Sequence, residues 1–131
     1  MPVYGDGEWL GPDARTDGGG VVAAGRFSWG PGPVRFDRHR HDHDELWMVS
    51  DGRAVVLIDG EEREVGPGDI LLHRAGDDHD LIAVRGSVRG FFVETGHPVG
   101  GRAGHRHRTP QDAEGHAVAV LPAAGDDEQV E

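Results

Sequence analysis

The sequence predicts an all-β fold built from short strands joined by tight turns. Its 131 residues include 22 glycines and 8 prolines. These turn formers recur between short runs rich in β-branched and aromatic residues. No long segment shows the 3.6-residue apolar period of an amphipathic helix. The length suits one hydrophobic core, so we predict a single all-β domain over residues 1–131.

The elements can be predicted in chain order. Residues 1–20 are turn-rich and predict an arm that wraps against a sheet edge. Residues 21–29 predict a first long strand, which a Gly-Pro-Gly-Pro turn separates from a second strand at residues 34–36. Further short apolar runs predict strands over residues 46–50, 53–58, 61–65, 70–72, 81–84, 88–94 and 117–121.

Turn chemistry predicts how some of these strands connect. Asp51-Gly52 and Asp59-Gly60 both suit two-residue hairpins, whose turns require positive φ. Residues 95–116 interleave glycine with histidine and arginine, which predicts a lid or crossing segment. Residues 122–131 predict a mobile, acidic tail.

Composition excludes several function classes. The chain has 24 acidic and 13 basic residues, a net charge of −11 with histidine neutral. A surface this acidic repels phosphate backbones and anionic membranes, so neither nucleic acid nor membrane is an expected partner. The absence of cysteine removes disulfides and thiolate ligands. No signal-peptide pattern or long apolar segment is present, so a cytoplasmic location is expected.

A histidine cluster at residues 39–45 predicts a metal site. Neutral imidazole beside a carboxylate suits a divalent ion such as zinc or iron. His39 and His41 stand two residues apart, so in an extended segment they point to one face. Glu45 shares their odd numbering, although a turn between them weakens that argument. A later turn-bounded segment delivers His79, which suggests convergence on one ion.

The first of these segments resembles the first motif of the cupins. That motif is Gly, five residues, His-x-His, three or four residues, Glu, six residues, Gly. His39, His41, Glu45 and Gly52 match it at the same spacing, while Pro33 stands at the leading glycine position.

The second segment resembles the second cupin motif. That motif is Gly, five residues, Pro-x-Gly, two residues, His, three residues, Asn. Gly68, Gly76 and His79 match it, whereas Arg74 replaces the proline and Ala83 the asparagine. Two motifs in order at the right spacing form a specific signal.

The resemblance implies a cupin double-stranded β-helix, or jelly-roll barrel, with a metal inside it. It also implies a small-molecule substrate and a homodimer. Without thiolates the metal is expected to be Zn²⁺, then Fe²⁺, with Mn²⁺ or Ni²⁺ also compatible. Glu45 is either a ligand or a general base. The implied ligands are His39, His41, Glu45 and His79.

Neighbouring side chains have more than one interpretation. His43 either lies in a turn or belongs to the site. Trp47 either fills the core or forms a substrate wall. Asp77, Asp78 and Asp80 are most simply solvated turn residues, although one of them can orient His79.

The stretch at residues 104–108 carries a second His-x-His pair. It is either a solvated stretch or a lid that closes over the barrel mouth. In a lid, His105 and His107 are candidate catalytic residues. The guanidinium groups suit binding of a carboxylate or phosphate. These substrate-binding candidates are Arg102, Arg106 and Arg108.

Three functions remain open from the sequence. Three stretches are similar to the zinc-binding cupins of bacterial hydrazine synthesis, which work with a methionyl-tRNA-synthetase-like ligase. They are the Asp44-Glu45-Leu46-Trp47 run, the Gly-Asp-Asp-His-Asp turn at residues 76–80 and the late Gly-His-x-His-Arg at residues 104–108. That similarity implies nitrogen–nitrogen bond formation by rearrangement of an ester between an amino acid and an N-hydroxylated amine. The alternatives are an iron-dependent dioxygenase of a small chelating substrate and a non-catalytic binding or sensor module.

Overall fold

The computed structural model describes residues 3–11, 20–96 and 104–122. Within these ranges the chain forms seven strands and one short helix. They are β1 (Val21–Trp29), β2 (Val34–Phe36), β3 (Asp44–Ile58), β4 (Glu61–Val65), β5 (Ile70–His73), β6 (His79–Thr95), α1 (Pro110–Glu114) and β7 (His116–Leu121).

Two long strands, β3 and β6, organise the domain. They pair antiparallel along their whole length, from Asp44 opposite Thr95 to Ile58 opposite His79. One half of the pair is flanked by β1 and β5, and the other half by β4 and β7. Strand β2 pairs with β7 and lies at an edge. This is the predicted jelly roll. Among the described residues the path β2-β7-β6-β3-β4 ends in two edges and does not close through hydrogen bonds.

The predicted hairpin at Asp51-Gly52 is wrong, because β3 runs through it. The ladder shifts register between Val49 and Asp51 and again after Gly52. Gly52 has φ +78°, and a Cβ there would lie 2.0 Å from the Ser87 carbonyl oxygen. The glycine therefore allows a bulge and a close backbone approach, which continue the strand instead of reversing it.

The other Asp-Gly hairpin is confirmed. Ile58 pairs with Glu61 across Asp59 and Gly60, whose φ values are +48° and +84°. In contrast, the two strands predicted over residues 81–84 and 88–94 form the single strand β6. Strand β3 pairs with β6 both before and after the register shift at residues 85–88, so β6 does not end between the two predicted strands.

Alternation along β3 builds the inner face. Glu45, Trp47 and Val49 alternate with more exposed residues and are buried, and Ala54 and Val56 continue the buried face after the bulge. Apolar side chains from the other strands complete the core. They are Phe36, Val65, Leu71, Leu81, Val84, Val88 and Val118.

The segments outside the strands are described in part. Leu10 of the predicted arm pairs with Ala24 through two backbone hydrogen bonds of 2.7 and 3.0 Å. Residues 12–19 of the arm, 97–103 of the predicted lid and 123–131 of the tail lie outside the described residues. The described part of the lid contains α1, which was not predicted, capped by the Thr109 hydroxyl. No helix in residues 3–11, 20–96 and 104–122 is long and apolar enough to span a bilayer.

Candidate metal centre

Backbone pairing brings the two histidine segments together. The His39 amide donates to the His79 carbonyl at 3.1 Å, and the His79 amide donates to the His39 carbonyl at 2.8 Å. Their imidazole centroids are 4.2 Å apart, and both side chains are buried. The predicted convergence of residues 40 positions apart in the chain is therefore present in the fold.

Glu45 faces two of the imidazoles with one oxygen. Its Oε1 lies 3.9 Å from His41 Nδ1 and 3.8 Å from His79 Nε2. These distances exceed hydrogen-bonding range. A cation that binds two such atoms at about 2.1 Å each can span up to about 4.2 Å between them. The three ligand atoms therefore surround a space of the size that a metal ion requires.

The hydrogen bonding of the imidazoles also fits a metal. Within the described residues, neither His41 Nδ1 nor His79 Nε2 has a hydrogen-bond partner. A buried polar atom without a partner is costly, and coordination would remove that cost. The Nδ1 atom of His39 contacts the Asp37 carbonyl. Because a carbonyl only accepts, Nδ1 carries the proton and Nε2 is left as the ligand atom.

Burial keeps these imidazoles neutral. Loss of solvent lowers the pKa of His39 from 6.5 to about 4 and that of His41 to about 3, and neighbouring imidazoles add to the effect at His41. The pKa of His79 is lowered further for the same reasons. Neutral imidazole is the form that binds metals, so the ligands are ready at neutral pH.

Trp47 has a structural role and a contact with the site. Its ring is buried in the core, and its Nε1–H donates to Glu45 Oε1 at 3.0 Å. This bond holds the carboxylate toward the histidines. The same ring helps to line a cavity of about 270 Å³ beside the centre. That cavity is bounded by Trp9, Phe27, Trp29, Phe36, His39, Glu45, Trp47, Phe92, Glu94 and His105.

His43 lies inside the domain. It is 2% exposed and stacks on His41 with ring centroids 4.7 Å apart. Its Nε2 lies 3.3 Å from Glu94 Oε1, and its Nδ1 lies 3.2 Å from Asp42 Oδ1. His41, His43 and Glu94 form a second group close enough to share an ion. His43 therefore belongs to the site region, although it lies in the turn predicted between His41 and Glu45.

His73 is a buried residue of the site that the sequence interpretation missed. Its ring centroid lies 4.2 Å from that of His79 and 4.3 Å from that of Trp47. Burial lowers its pKa from 6.5 to about 3. Strand alternation could have identified His73 as an inward-facing residue, because Leu71 and His73 occupy the two buried positions of β5.

The prediction of solvated aspartates after the second turn is wrong for two of the three. Asp78 is 3% exposed and Asp80 is 6% exposed, whereas Asp77 is half-buried. Asp78 contacts the Arg108 guanidinium, and Asp80 lies 3.6 Å from His116 Nε2. Long-range partners, which local sequence does not reveal, offset part of the cost of this burial, and burial still raises the pKa of Asp80 above its usual value.

The described part of the predicted lid lies over the ligand segment. Arg40 and Arg106 exchange two backbone hydrogen bonds of 2.9 Å each. His105 and His107 flank Arg106 in the chain, so this pairing brings both histidines near the ligand segment. Both histidines contact the Asp37 carboxylate. Among the guanidinium candidates, Arg108 binds Asp78, Arg106 is exposed, and Arg102 lies outside the described residues.

Together the jelly roll and the internal cluster of neutral imidazoles around a carboxylate define a small β-domain with a candidate metal centre. The chain belongs to the cupin family, since the family model described as "Cupin domain" matches residues 25–94. The matched span contains all four implied ligands, and the resemblance inferred from the two motifs is confirmed.

A search of curated proteins finds an uncharacterized protein, y4oW, of Sinorhizobium fredii. It is 37% identical over 65 residues, which are 50% of this chain and 30% of that protein. The chain therefore spans less than a third of the length of this relative.

Solved structures share the fold. The polyketide cyclase RemF from Streptomyces resistomycificus has a TM-score of 0.54 at 21% identity, covering 71% of this chain and 64% of its own. A cupin superfamily protein from Desulfitobacterium hafniense has a TM-score of 0.53 at 20% identity, covering 72% and 83%. The DMSP lyase DddQ from Ruegeria pomeroyi has a TM-score of 0.53 at 24% identity, covering 59% and 39%. At these identities the likeness concerns the fold.

Proposed function

We propose that this cupin is a metal-dependent enzyme that acts on a small polar metabolite. The single observation that carries the proposal is the convergence of His41, Glu45 and His79 ligand atoms, with His39 alongside, at the wall of an aromatic-lined cavity. We favour Zn²⁺, which would polarise a bound carbonyl or carboxylate oxygen. Glu45, held by Trp47, either completes the ligand set or accepts a proton from the substrate.

An arginine patch beside the ligand segments supports an anionic substrate. Arg38 and Arg40 lie 3.6 and 3.9 Å from Asp78, and Arg108 contacts the same carboxylate. These three guanidinium groups form the patch, and Arg38 also interacts with the carboxylate of Asp80. Such a patch attracts and orients carboxylates.

The specific reaction that we propose is nitrogen–nitrogen bond formation. In an ester of an amino acid with an N-hydroxylated amine, the amino nitrogen bonds to the hydroxylamine nitrogen as the N–O bond breaks. The N–O electron pair leaves on the carboxylate oxygen, and the amino nitrogen loses one proton. Substrate and product are isomers, so neither an oxidant nor a reductant is needed. The arginine patch would hold the carboxylate that is released.

A second candidate is an iron-dependent dioxygenase. His41, Glu45 and His79 provide two imidazoles and one carboxylate, the ligand combination of many non-haem iron oxygenases. Metal content and oxygen dependence separate the two candidates.

The decisive experiment is elemental analysis of protein purified without added metal, followed by oxygen-free incubation with amino-acid esters of N-hydroxylated amines. We expect about one zinc per chain and a hydrazine product of unchanged mass. His79→Ala should lose the metal, whereas His116→Ala, at an exposed histidine paired with Asp80, should keep it. Stoichiometric iron with oxygen uptake would establish the dioxygenase instead. Tight ligand binding without turnover across the panel would indicate a binding module.

The chain is also proposed to form a homodimer. Ile70, Leu72 and Phe91 are 69%, 43% and 42% exposed. Ile70 and Phe91 lie on β5 and β6, the two strands that flank this part of β3, and both pair with Met48 of β3. A contiguous exposed apolar patch on a sheet supports packing against a second copy.

A further inference from the structure

The cavity beside the candidate metal centre has walls that are largely aromatic. Its volume of about 270 Å³ suits one end of a small metabolite. Neighbouring rings stand at different angles, from 24° between Phe27 and Trp29 to 85° between Trp29 and Phe36, so they form a curved wall. The aromatic lining residues are Trp9, Phe27, Trp29, Phe36, Trp47 and Phe92.

Two carboxylates share this cavity with the aromatic rings. Glu45 and Glu94 both line it, and no arginine of the described residues does. They are direct partners across β3 and β6, so their side chains lie on one face of the sheet, and each residue is only 7% exposed. Like charges that face each other across a strand pair repel, and the repulsion grows with burial. The cavity is therefore complementary to positive charge.

The candidate metal accounts for Glu45, and Glu94 points to a second cation. Trp47 holds Glu45 toward His41 and His79, where the metal would neutralise it. Glu94 Oε1 lies 3.3 Å from His43 Nε2, which fixes the carboxylate inside the domain. A carboxylate offers about four lone-pair positions, so this contact still allows Glu94 to accept a group that enters the cavity.

We propose that the aromatic cavity is a subsite for an organic ammonium group, and that Glu94 sets its preference for a cation. The faces of tryptophan and phenylalanine rings attract cations, and proteins bind substituted ammonium groups in this way. The inference rests on the proposed function where it assigns the ammonium group to the substrate. The metal and the arginine patch would hold the carboxylate of that substrate, so the metabolite is a zwitterion.

A neutral apolar group is the competing occupant, because aromatic walls bind it as well. Such a group would cover Glu94 without offering it a hydrogen bond or a charge, and removing a carboxylate from water without compensation is costly. An ammonium group supplies that compensation. The two occupants are therefore separated by comparing a cation with a neutral molecule of the same shape.

The test measures binding of choline and of its neutral isostere 3,3-dimethylbutan-1-ol to the protein in the presence of a chelator. All three tryptophans of the chain line the cavity, so intrinsic fluorescence reports its occupation. The parent protein should bind choline about 10-fold more tightly than the isostere. Glu94→Gln should reduce this preference to about 2-fold or less, because the carboxylate charge is lost while the side-chain size is kept.

Two further variants make the test specific. Glu64→Gln removes the same charge at an exposed residue that does not line the cavity, and it should keep the preference of the parent. Trp9→Leu replaces an aromatic ring by an aliphatic group at a residue that is 52% exposed, so the fold should survive. It should weaken choline binding by about 3-fold or more and affect the isostere less.

Zinc connects the subsite to the proposed function. Glycine betaine carries a trimethylammonium group and a carboxylate, so bound zinc should raise its affinity relative to that of choline. An unchanged ratio would overturn the assignment of the subsite to the substrate of the metal centre.

The remaining outcomes separate the two proposals. Equal binding of choline and the isostere by a zinc-binding parent would overturn the subsite and leave the proposed function intact. Equal loss of preference in Glu94→Gln and Glu64→Gln would also overturn it, because the effect would then be one of net charge. If Glu94→Gln fails to fold, an unchanged choline preference in Trp9→Leu overturns the subsite. A parent that prefers choline but binds no zinc would support the subsite and overturn the proposed function.

Discussion

The indole N–H of Trp47 donates to Oε1 of Glu45 at 3.0 Å, and this oxygen is the one that faces His41 and His79. A core residue therefore fixes the carboxylate of the candidate metal centre. We expect Trp47→Phe to keep the fold and to weaken zinc binding by about 10-fold, because the carboxylate loses its orienting donor. Chelator competition measures the loss.

The control for this prediction is Trp29→Phe. Trp29 packs against Trp47 with ring centroids 5.1 Å apart, so its replacement perturbs the same aromatic cluster. Equal zinc affinity in Trp47→Phe and the parent would show that the indole hydrogen bond does not support the site.

Stability of the metal-free protein should fall in mild acid. His39 and His41 have folded pKa values of about 4 and about 3 against 6.5 for the unconstrained residue. Below pH 6.5 the unfolded chain takes up protons that the folded chain does not. Each of these groups then lowers the free energy of unfolding by up to about 1.4 kcal/mol per pH unit as pH falls toward the folded pKa.

Urea unfolding at pH 7, 6 and 5 in the presence of a chelator measures this effect. The slope should be smaller in His41→Gln, which removes one of the titrating groups. A free energy of unfolding that stays constant from pH 7 to pH 5 would contradict the assignment of neutral buried imidazoles.

Gly52 should tolerate no side chain. Its φ is +78°, and a Cβ would lie 2.0 Å from the Ser87 carbonyl oxygen, so Gly52→Ala adds a backbone collision to the strain of positive φ. Gly60 has φ +84° with no atom within 4 Å of the same position, so Gly60→Ala is a matched control for the strain alone. We expect about 1–2 kcal/mol of destabilisation at Gly60 and a larger loss at Gly52. Similar melting temperatures for the two variants would disprove the close approach of β3 and β6 at this point.

His73 can be tested for a role in stability or in metal binding, because its side chain is buried beside the candidate metal centre. It is 1% exposed, and neither ring nitrogen has a hydrogen-bond partner among the described residues. Replacing an unsatisfied buried polar group by an apolar one of similar volume is neutral or stabilising. His73→Leu should therefore unfold at an equal or higher temperature than the parent. A lower melting temperature would show that the imidazole has a stabilising partner, and reduced zinc affinity would assign that partner to the metal.

The exposed apolar patch predicts the oligomeric state. Ile70→Glu places a charge at a side chain that is 69% exposed, so it should leave the fold intact and convert a dimer to a monomer in sedimentation velocity. Val120→Glu, at a 45% exposed site on β7, is the matched control and should leave the dimer unchanged. A monomeric parent protein at all concentrations would exclude the homodimer.

The sequence by itself determined the all-β class and the four implied ligands, although not the buried His73 beside them. Turn formers, strand-length apolar runs and the spacing of His39, His41, Glu45 and His79 are local properties, and local properties are readable from one chain. The same is true of the Asp59-Gly60 hairpin, whose positive φ needs no distant partner.

The tertiary structure decided what depends on partners far apart in the chain. Asp51-Gly52 became a bulge because β6 continues past it, and Asp78 is buried because Arg108 reaches it. His105 lies against His39 because the Arg40–Arg106 backbone pair closes a loop of more than 60 residues. Periodicity and spacing report the conformation of one segment, whereas the pairing of two segments depends on the packing of the whole chain.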